Sequence, residues 1–324
     1  MNHNAIISTT DAALQSAPVS KEIFDSWLNS LDVSEKTRAT YQRNIKPFYE
    51  YMLANEINRP IKEDVIRYRD ALSAAGKKPA TVYAYLIALK VFFHWTAENG
   101  LYPDISANVK SPRITTAHRK DPLTATQAAA VLKEIDRTTA QGARNYAIIL
   151  LMVTTGLRTV EVIRANVEDV QQVSDGRHSF TALFIQGKGH TDKDEYIKLS
   201  EPVNKAIADY LALRPHDFTM DSPLFATLSN RNQGGRMTTR SLSRICKGAF
   251  INAGIVSNRI TAHSLRHTAA TINLLNGGTP EETQQLLRHQ NPATTQIYSH
   301  ALERGDNVSE NRITDVILSA MEDE

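Results

Sequence analysis

The chain has 324 residues, of which 41% are hydrophobic and 22% are charged. That length exceeds the usual size of a single hydrophobic core, so about two domains are expected. The sequence contains neither an apolar run long enough to span a membrane nor an amino-terminal signal pattern, and it predicts a cytoplasmic protein without membrane contact. The single cysteine, Cys246, excludes an internal disulfide framework and a cysteine-rich zinc site.

The net charge of +2 conceals an uneven distribution along the chain. Residues 36–120 carry fifteen Lys or Arg against seven Asp or Glu, whereas residues 301–324 carry two against seven. An excess of eight positive charges within one segment is typical of a protein that contacts phosphate groups. The sequence therefore predicts a polyanionic partner.

Residues 1–18 are polar and lack a hydrophobic period, which predicts a disordered lead. Beyond them, apolar residues recur at steps of three and four, so a small helical bundle is expected over residues 19–110. Its four helices are predicted from Ser20 through Leu31, Ser34 to Ala54, Ile61 to Ser73 and Thr81 to Asn99.

Six basic residues of this bundle are candidates for phosphate contact or for mere solubilising charge: Arg38, Arg43, Lys46, Lys77, Lys78 and Lys90. Residues 111–120 are basic without a hydrophobic period, which is typical of an interdomain linker.

A second domain begins with a capping box at Thr124 that predicts a helix to about Thr138. The next helix, Arg144 to Thr154, is apolar on every side and should be buried, and Gly156 ends it. Arg158 then opens a helix whose N-terminal N–H groups also favour an anion, and Glu161 lies one turn further on. Taken alone, this pair is most simply explained as a structural salt bridge.

Two short strands, Thr181 to Gln186 and Glu195 to Leu199, are predicted to flank a turn that contains Lys188, with Lys193 as a competing lysine. Further helices are expected over Pro202 to Leu213 and Thr238 to Ala253. Basic residues in and before the latter are candidates for DNA contact, although the bases that they read are not visible in the sequence: Arg236, Arg240 and Arg244.

Residues 261–300 hold two arginines, several histidines and one tyrosine in an unusual order. In a helix, His263 and Arg266 share a face and can point at one anion. Gly277-Gly278 should stop that helix, and residues 279–282 start another, with a threonine cap and a proline at its first position. An arginine suits a phosphate, imidazoles donate to phosphoryl oxygens, and the Tyr298 hydroxyl is a candidate nucleophile toward phosphorus.

These motifs resemble the signature of the tyrosine recombinases, also called the phage integrase family. The positions that carry the resemblance are Arg158 with Glu161, Lys188, His263, Arg266, His289 and Tyr298. The resemblance implies a mainly α fold with a small antiparallel sheet in the catalytic domain. It also implies a SAM-like core-binding domain over residues 19–110, a linker over 111–120, a catalytic domain over 121–302, and a tether with an exchange helix over 303–324.

The chemistry that the resemblance implies is site-specific DNA recombination, for integration or excision of a mobile element or for resolution of chromosome dimers. Tyr298 would attack the scissile phosphate to form a 3′-phosphotyrosyl link, while Arg158 and Arg266 stabilise charge at phosphorus. His263 and His289 would assist, and Lys188 would protonate the leaving 5′ oxygen. No metal or nucleotide cofactor is expected.

The expected partners are double-stranded DNA with inverted-repeat core sites and three further copies of the chain. Residues 312–321 place Ile313, Val316, Ile317 and Ala320 on one side of a predicted helix, which needs an apolar partner. The helix either packs on its own domain or passes to a neighbouring subunit, and cyclic donation of this kind would close a homotetramer on paired sites.

Three other functions remain open at this level. A type IB topoisomerase would share the nucleophile but would yield no recombinant products. A DNA-binding protein that has lost catalysis is less consistent with a complete set of catalytic positions. A metal hydrolase built on His263 and His267 would lose its activity in a chelator.

Overall fold

The structure is a computed structural model that describes residues 9–10, 13, 17–114, 120–174, 176, 178–187, 192–229 and 232–288. The chain divides into two compact units, residues 1–117 and 118–324, and the division falls within the predicted linker. Within the described ranges, no helix has both the length and the apolar character needed to cross a membrane.

The first unit is a bundle of helices around an aromatic core. Its helices are α1 (Lys21–Ser30), α2 (Glu35–Ala54), α3 (Lys62–Ala74) and α4 (Pro79–Glu98), close to the predicted ranges. Ser34 caps α2 by accepting from the Thr37 N–H at 3.3 Å, and Pro79 opens α4 with a φ that suits the first turn. The rings of Phe24 and Phe92 stack with centroids 4.4 Å apart, so the core joins α1 to α4.

The predicted lead lies mostly outside the described residues. Thr9, Thr10 and Ala13 are helical, and Ala13 is fully buried in the core of the first unit. At that position the structure differs from the predicted disorder, because a small apolar side chain packs against the bundle. The apolar stretch around Ala13 is too short to form a hydrophobic period, so the sequence pattern did not reveal this contact.

Helices are the main regular structure in the described part of the second unit. Its helices are α5 (Ala125–Lys133), α6 (Ala140–Thr155), α7 (Thr159–Arg164), α8 (Glu201–Leu213), α9 (Thr239–Asn252), α10 (Ala262–Leu275) and α11 (Pro280–Leu287). The prediction that α5 continues to Thr138 was wrong. Asp136 accepts from the N–H and the hydroxyl of Thr138 at 2.9 and 2.6 Å, a local turn that competes with the helix.

A three-stranded antiparallel sheet completes this unit in the order β1 (Val170–Ser174), β2 (Ser179–Ile185) and β3 (Glu195–Lys198). Leu183 pairs with Val170 on one side and with Ile197 on the other. The sequence did not predict β1, because its two glutamines leave only a weak apolar pattern. The mainly α fold with a small antiparallel sheet is confirmed.

Candidate active site

The N-terminus of α7 holds Arg158 beside a buried carboxylate. Gly156 ends α6 in the left-handed conformation, with a φ of +64°, and Arg158 becomes the N-cap of the following helix. The Arg158 backbone N–H and Nη1 donate to the two carboxylate oxygens of Glu161, each at 2.7 Å. The side chain of Glu161 is 1% exposed and that of Arg158 is 27% exposed. The carboxylate therefore orients a guanidinium that still reaches the surface.

Arg266 ties the remaining motifs to this point. It lies on α10, is 2% exposed, and donates through Nη1 to the carbonyl oxygen of Gly156 at 2.5 Å. Its Nη2 donates to the carbonyl oxygen of Leu287 at the end of α11. Gly156 permits this approach, since a Cβ there would lie 2.5 Å from Leu287 Cδ2. The segment of Gly156 and Arg158, helix α10 and the end of α11 are distant in sequence. They thus meet around the buried guanidinium of Arg266.

A third arginine, Arg288, joins the same cluster. It follows the last residue of α11, and its Nη2 donates to Glu161 Oε2 at 2.9 Å. Burial lowers the pKa of the Arg288 guanidinium, and the nearby Glu161 carboxylate opposes that shift. No role was predicted for Arg288 from the sequence. A charged residue at the C-cap, a position where glycine is common, was the signal that could have identified it.

The two histidines of α10 stack edge to face, with ring centroids 4.7 Å apart. His263 is exposed and His267 is buried, whereas Arg266 on the same helix is buried. His263 therefore reaches the surface on the same helix that carries the buried Arg266. Among the described residues there is no cluster of three or more His, Cys, Asp or Glu that could hold a metal ion.

Three predicted catalytic residues, Lys188, His289 and Tyr298, lie outside the described residues, as does the segment 303–324. The competing lysine is described: Lys193 Nζ contacts Asp169 Oδ2 at 2.5 Å. The Asp169 side chain is only 6% exposed and also accepts from the Asn166 N–H at 2.6 Å. The buried Asp169 carboxylate thus holds Lys193. This favours Lys188 over Lys193 as the candidate catalytic lysine.

The predicted DNA-contact residues of the first unit differ in their surroundings. Arg43, Lys77 and Lys78 are exposed and Lys90 is half-buried. Lys46 is exposed and lies 3.6 Å from Glu50, and the half-buried Arg38 donates to the carbonyl oxygen of Leu31 at 2.9 Å. A surface ion pair of this kind contributes little and is readily exchanged for a phosphate. A role in DNA contact stays a prediction for all six.

In the second unit, Arg240 and Arg244 are exposed on α9. Arg236 instead braces the end of α7: its Nη1 donates to the carbonyl oxygens of Ile163 and Ala165 at 2.7 and 3.3 Å. Its Nη2 donates to Asn166 Oδ1 at 2.6 Å. These neutral acceptors give Arg236 a structural role, and its predicted contact with DNA is untested.

Comparisons with known proteins agree with this arrangement. The profile of the phage integrase family matches residues 122–304, and that of the phage integrase N-terminal SAM-like domain matches residues 24–100. The tyrosine recombinase XerD of Listeria innocua is 28% identical over 293 residues, covering 86% of this chain and 94% of that protein.

Two solved structures illustrate the likeness in fold. XerH site-specific recombinase, bound to palindromic difH substrate in a post-cleavage complex, has a TM-score of 0.68 at 20% identity, covering 93% of this chain and 94% of that one. Lambda integrase, solved as a tetramer bound to a Holliday junction, has a TM-score of 0.65 at 16% identity, covering 87% and 77%. The second match of the family profiles bears out the SAM-like fold of the first unit.

Proposed function

The chain belongs to the phage integrase family and is a tyrosine recombinase, and we propose that it cleaves and rejoins DNA at a site built around Arg158, Arg266 and Tyr298. The observation that carries the proposal is the pair of hydrogen bonds from Arg266 to Gly156 and Leu287. They join the motif of Arg158, the helix of His263 and the end of α11 at one point, as a common phosphate site requires. The reaction is site-specific recombination.

The reaction balances without an external energy source. The Tyr298 hydroxyl gives its proton to a base, for which His263 is the candidate, and its oxygen forms a bond to phosphorus as the bond from phosphorus to the 5′ oxygen breaks. Lys188 supplies the proton to that 5′ oxygen. Arg158 and Arg266 stabilise the charge that develops on the non-bridging oxygens, with hydrogen bonds from His263 and His289. Attack of a 5′-hydroxyl on the phosphotyrosyl link then rejoins a strand and releases Tyr298.

Glu161 supports this chemistry without entering it. Its two oxygens hold the Arg158 backbone N–H and Nη1, so part of the arginine's donor set is fixed before DNA binds. Within the described part of the chain, Nε and Nη2 of Arg158 have no acceptor. These donors suit two oxygens of a phosphate, because a guanidinium binds such groups in a bidentate manner.

The decisive experiment is to trap the intermediate on a nicked suicide substrate in the presence of a chelator. A covalent protein–DNA adduct is expected, together with recombinant products on intact paired sites. An adduct without recombinants would favour a type IB topoisomerase. Absence of any adduct with intact DNA binding would indicate an inactive binding protein, and loss of cleavage on chelation would indicate a metal hydrolase.

A substrate with sulfur in place of the 5′-bridging oxygen tests the role of Lys188. Lys188→Ala should cleave the oxygen substrate slowly and recover on the sulfur substrate, because a thiolate leaves without a proton. Lys193→Ala is the matched control and should need no rescue, since Asp169 already holds that lysine. Recovery of Lys193→Ala alone would move the role to it, and recovery of neither would restrict Lys188 to phosphate binding.

We also propose that the chain works as a homotetramer on paired inverted-repeat sites, closed by its C-terminal helix. The support is the one-sided apolar pattern of Ile313, Val316, Ile317 and Ala320, and the lambda integrase tetramer that shares the fold.

Truncation after Asn311 should preserve binding to a single site and impair synapsis and recombination, because each subunit would lose the helix that it donates. Gel-shift and recombination assays on the truncated protein measure both effects. Normal tetrameric complexes with full strand exchange would show that the helix only caps its own domain.

A further inference from the structure

Arg288 occupies an unfavourable position for an arginine. Its backbone has φ +52° and ψ +50°, the left-handed conformation. In the described part of the chain, Glu56 is the only other non-glycine residue with a positive φ. A residue with a Cβ pays roughly 1 kcal/mol for this conformation, whereas glycine adopts it freely. The Arg288 side chain is also only 11% exposed. An arginine that is both strained and largely shielded from solvent indicates that its side chain contributes something specific.

The Arg288 side chain contacts two carboxylates on different elements. Nη2 donates at 2.9 Å to the Glu161 oxygen that also accepts from the Arg158 backbone N–H. Nε lies 3.8 Å from Glu195 Oε2, at the start of β3. Its remaining nitrogen, Nη1, donates to the carbonyl oxygen of Leu286 at 3.0 Å. Nε has no hydrogen-bond partner among the described residues, so its link to Glu195 is an ion pair only, and the two carboxylates together orient the guanidinium toward the protein.

Glu195 extends this chain of contacts into the hairpin. It pairs with Ile185 at the end of β2, and its carboxylate packs against the backbone of Gly187. A Cβ at Gly187 would lie 3.3 Å from a carboxylate oxygen of Glu195, so glycine allows this close approach. Gly187 is the residue before Lys188 in the sequence. The position of Glu195 therefore bears directly on where the turn begins.

We propose that Arg288 is a positioning residue that couples Arg158 to the hairpin of Lys188 through Glu161 and Glu195. The proposal rests on the proposed function, because it assumes that Arg158 stabilises the transition state and that Lys188 donates the proton. Arg288 donates to Glu161 and forms a 3.8 Å ion pair with Glu195, which itself lies close to Gly187. One guanidinium thereby contacts both the carboxylate that holds Arg158 and the carboxylate beside Gly187, the residue before Lys188.

The test compares Arg288→Gly and Glu195→Gln, on the oxygen and the sulfur substrate, by single-turnover cleavage rate. Glycine suits the left-handed backbone, so Arg288→Gly removes the side chain without new strain. Arg288→Gly should cleave the oxygen substrate at least about tenfold more slowly, because a small misplacement of catalytic groups has effects of this size. Its affinity for a single site, measured by gel shift, should stay unchanged, because the Arg288 side chain is only 11% exposed and is directed at protein partners.

The two variants should differ on the sulfur substrate. Glu195→Gln affects only the hairpin, so sulfur should restore its cleavage to nearly the wild-type rate. Arg288→Gly also disturbs Arg158, so sulfur should restore it only in part. Lys205→Gln, which removes an exposed ion pair with Asp209 on α8, is the control and should behave as wild type.

One set of results would overturn the positioning role of Arg288, and a different set would overturn the proposed function on which that role rests. Wild-type cleavage by Arg288→Gly would overturn the positioning role. A defect in Glu195→Gln that sulfur leaves unchanged, while Lys188→Ala recovers, would overturn the coupling to the hairpin. If Lys188→Ala itself fails to recover, the proton-donor role of Lys188 falls, and the hairpin part of this proposal falls with it.

Discussion

Tyr298→Phe is expected to abolish the covalent protein–DNA adduct on a nicked suicide substrate and to leave single-site DNA affinity nearly unchanged. The substitution removes one oxygen atom, which is the atom proposed to bond to phosphorus, and keeps the aromatic ring. No other nucleophile of this kind belongs to the proposed set, so the loss should be complete within detection. Denaturing gels with end-labelled DNA measure the adduct, and gel shifts measure the affinity.

Tyr196→Phe provides the matched control for this prediction. Tyr196 lies on β3 with its side chain largely exposed, and its ring packs against Phe180 and Phe184 with centroids 6.0 and 5.7 Å away. Loss of its hydroxyl should change neither adduct nor affinity. An adduct formed by Tyr298→Phe at the wild-type level would show that another residue is the nucleophile.

Arg158→Ala and Arg266→Ala are each expected to slow cleavage by roughly 10²- to 10³-fold, the usual cost of removing a donor that stabilises charge in the transition state. The two variants should differ in stability. Arg158 is partly exposed, and without it Glu161 keeps its partner Arg288, so the fold should persist. Arg266→Ala leaves the carbonyl oxygens of Gly156 and Leu287 without their donor in a buried region, at about 1–3 kcal/mol each.

Cleavage rates and thermal unfolding of both variants test this pair of expectations. Arg158→Ala should keep its melting temperature and lose its activity, whereas Arg266→Ala should lose both. Lys205→Gln again serves as the control for loss of a surface charge. Cleavage by Arg158→Ala at the wild-type rate would reduce the Arg158–Glu161 contact to the structural salt bridge that the sequence also allowed.

Local signals in the sequence predicted the helices of the site well. Thr279 accepts from the Glu282 N–H at 3.1 Å and Glu282 accepts from the Thr279 N–H at 2.8 Å, the reciprocal cap that the pattern of residues 279–282 predicted. Gly156 ends α6 with positive φ, also as predicted. These features depend on neighbours within a few residues, so a linear pattern contains them. The same local reading failed at Thr138, where a side-chain turn competes with the helix.

The order of reactive residue types is the second thing that the sequence determined by itself. A histidine with an arginine one turn later and a late tyrosine indicate phosphate chemistry, and together with the earlier arginine–glutamate pair and the turn lysine they carry the resemblance to the tyrosine recombinases. The family profile that covers residues 122–304 confirms this class of enzyme. The roles of the individual residues remain proposals that the substitutions above will test.

Only the tertiary structure decided which charged side chains contact which partners. Glu161 lies 127 residues before Arg288 in the chain, yet their side chains are 2.9 Å apart. Lys193 is held by Asp169, and Arg236 braces the carbonyl groups at the end of α7. A long charged side chain can face solvent, a phosphate or a buried partner with the same local sequence. The packing of distant elements determines which of these the side chain contacts. That packing therefore decides the role of the side chain.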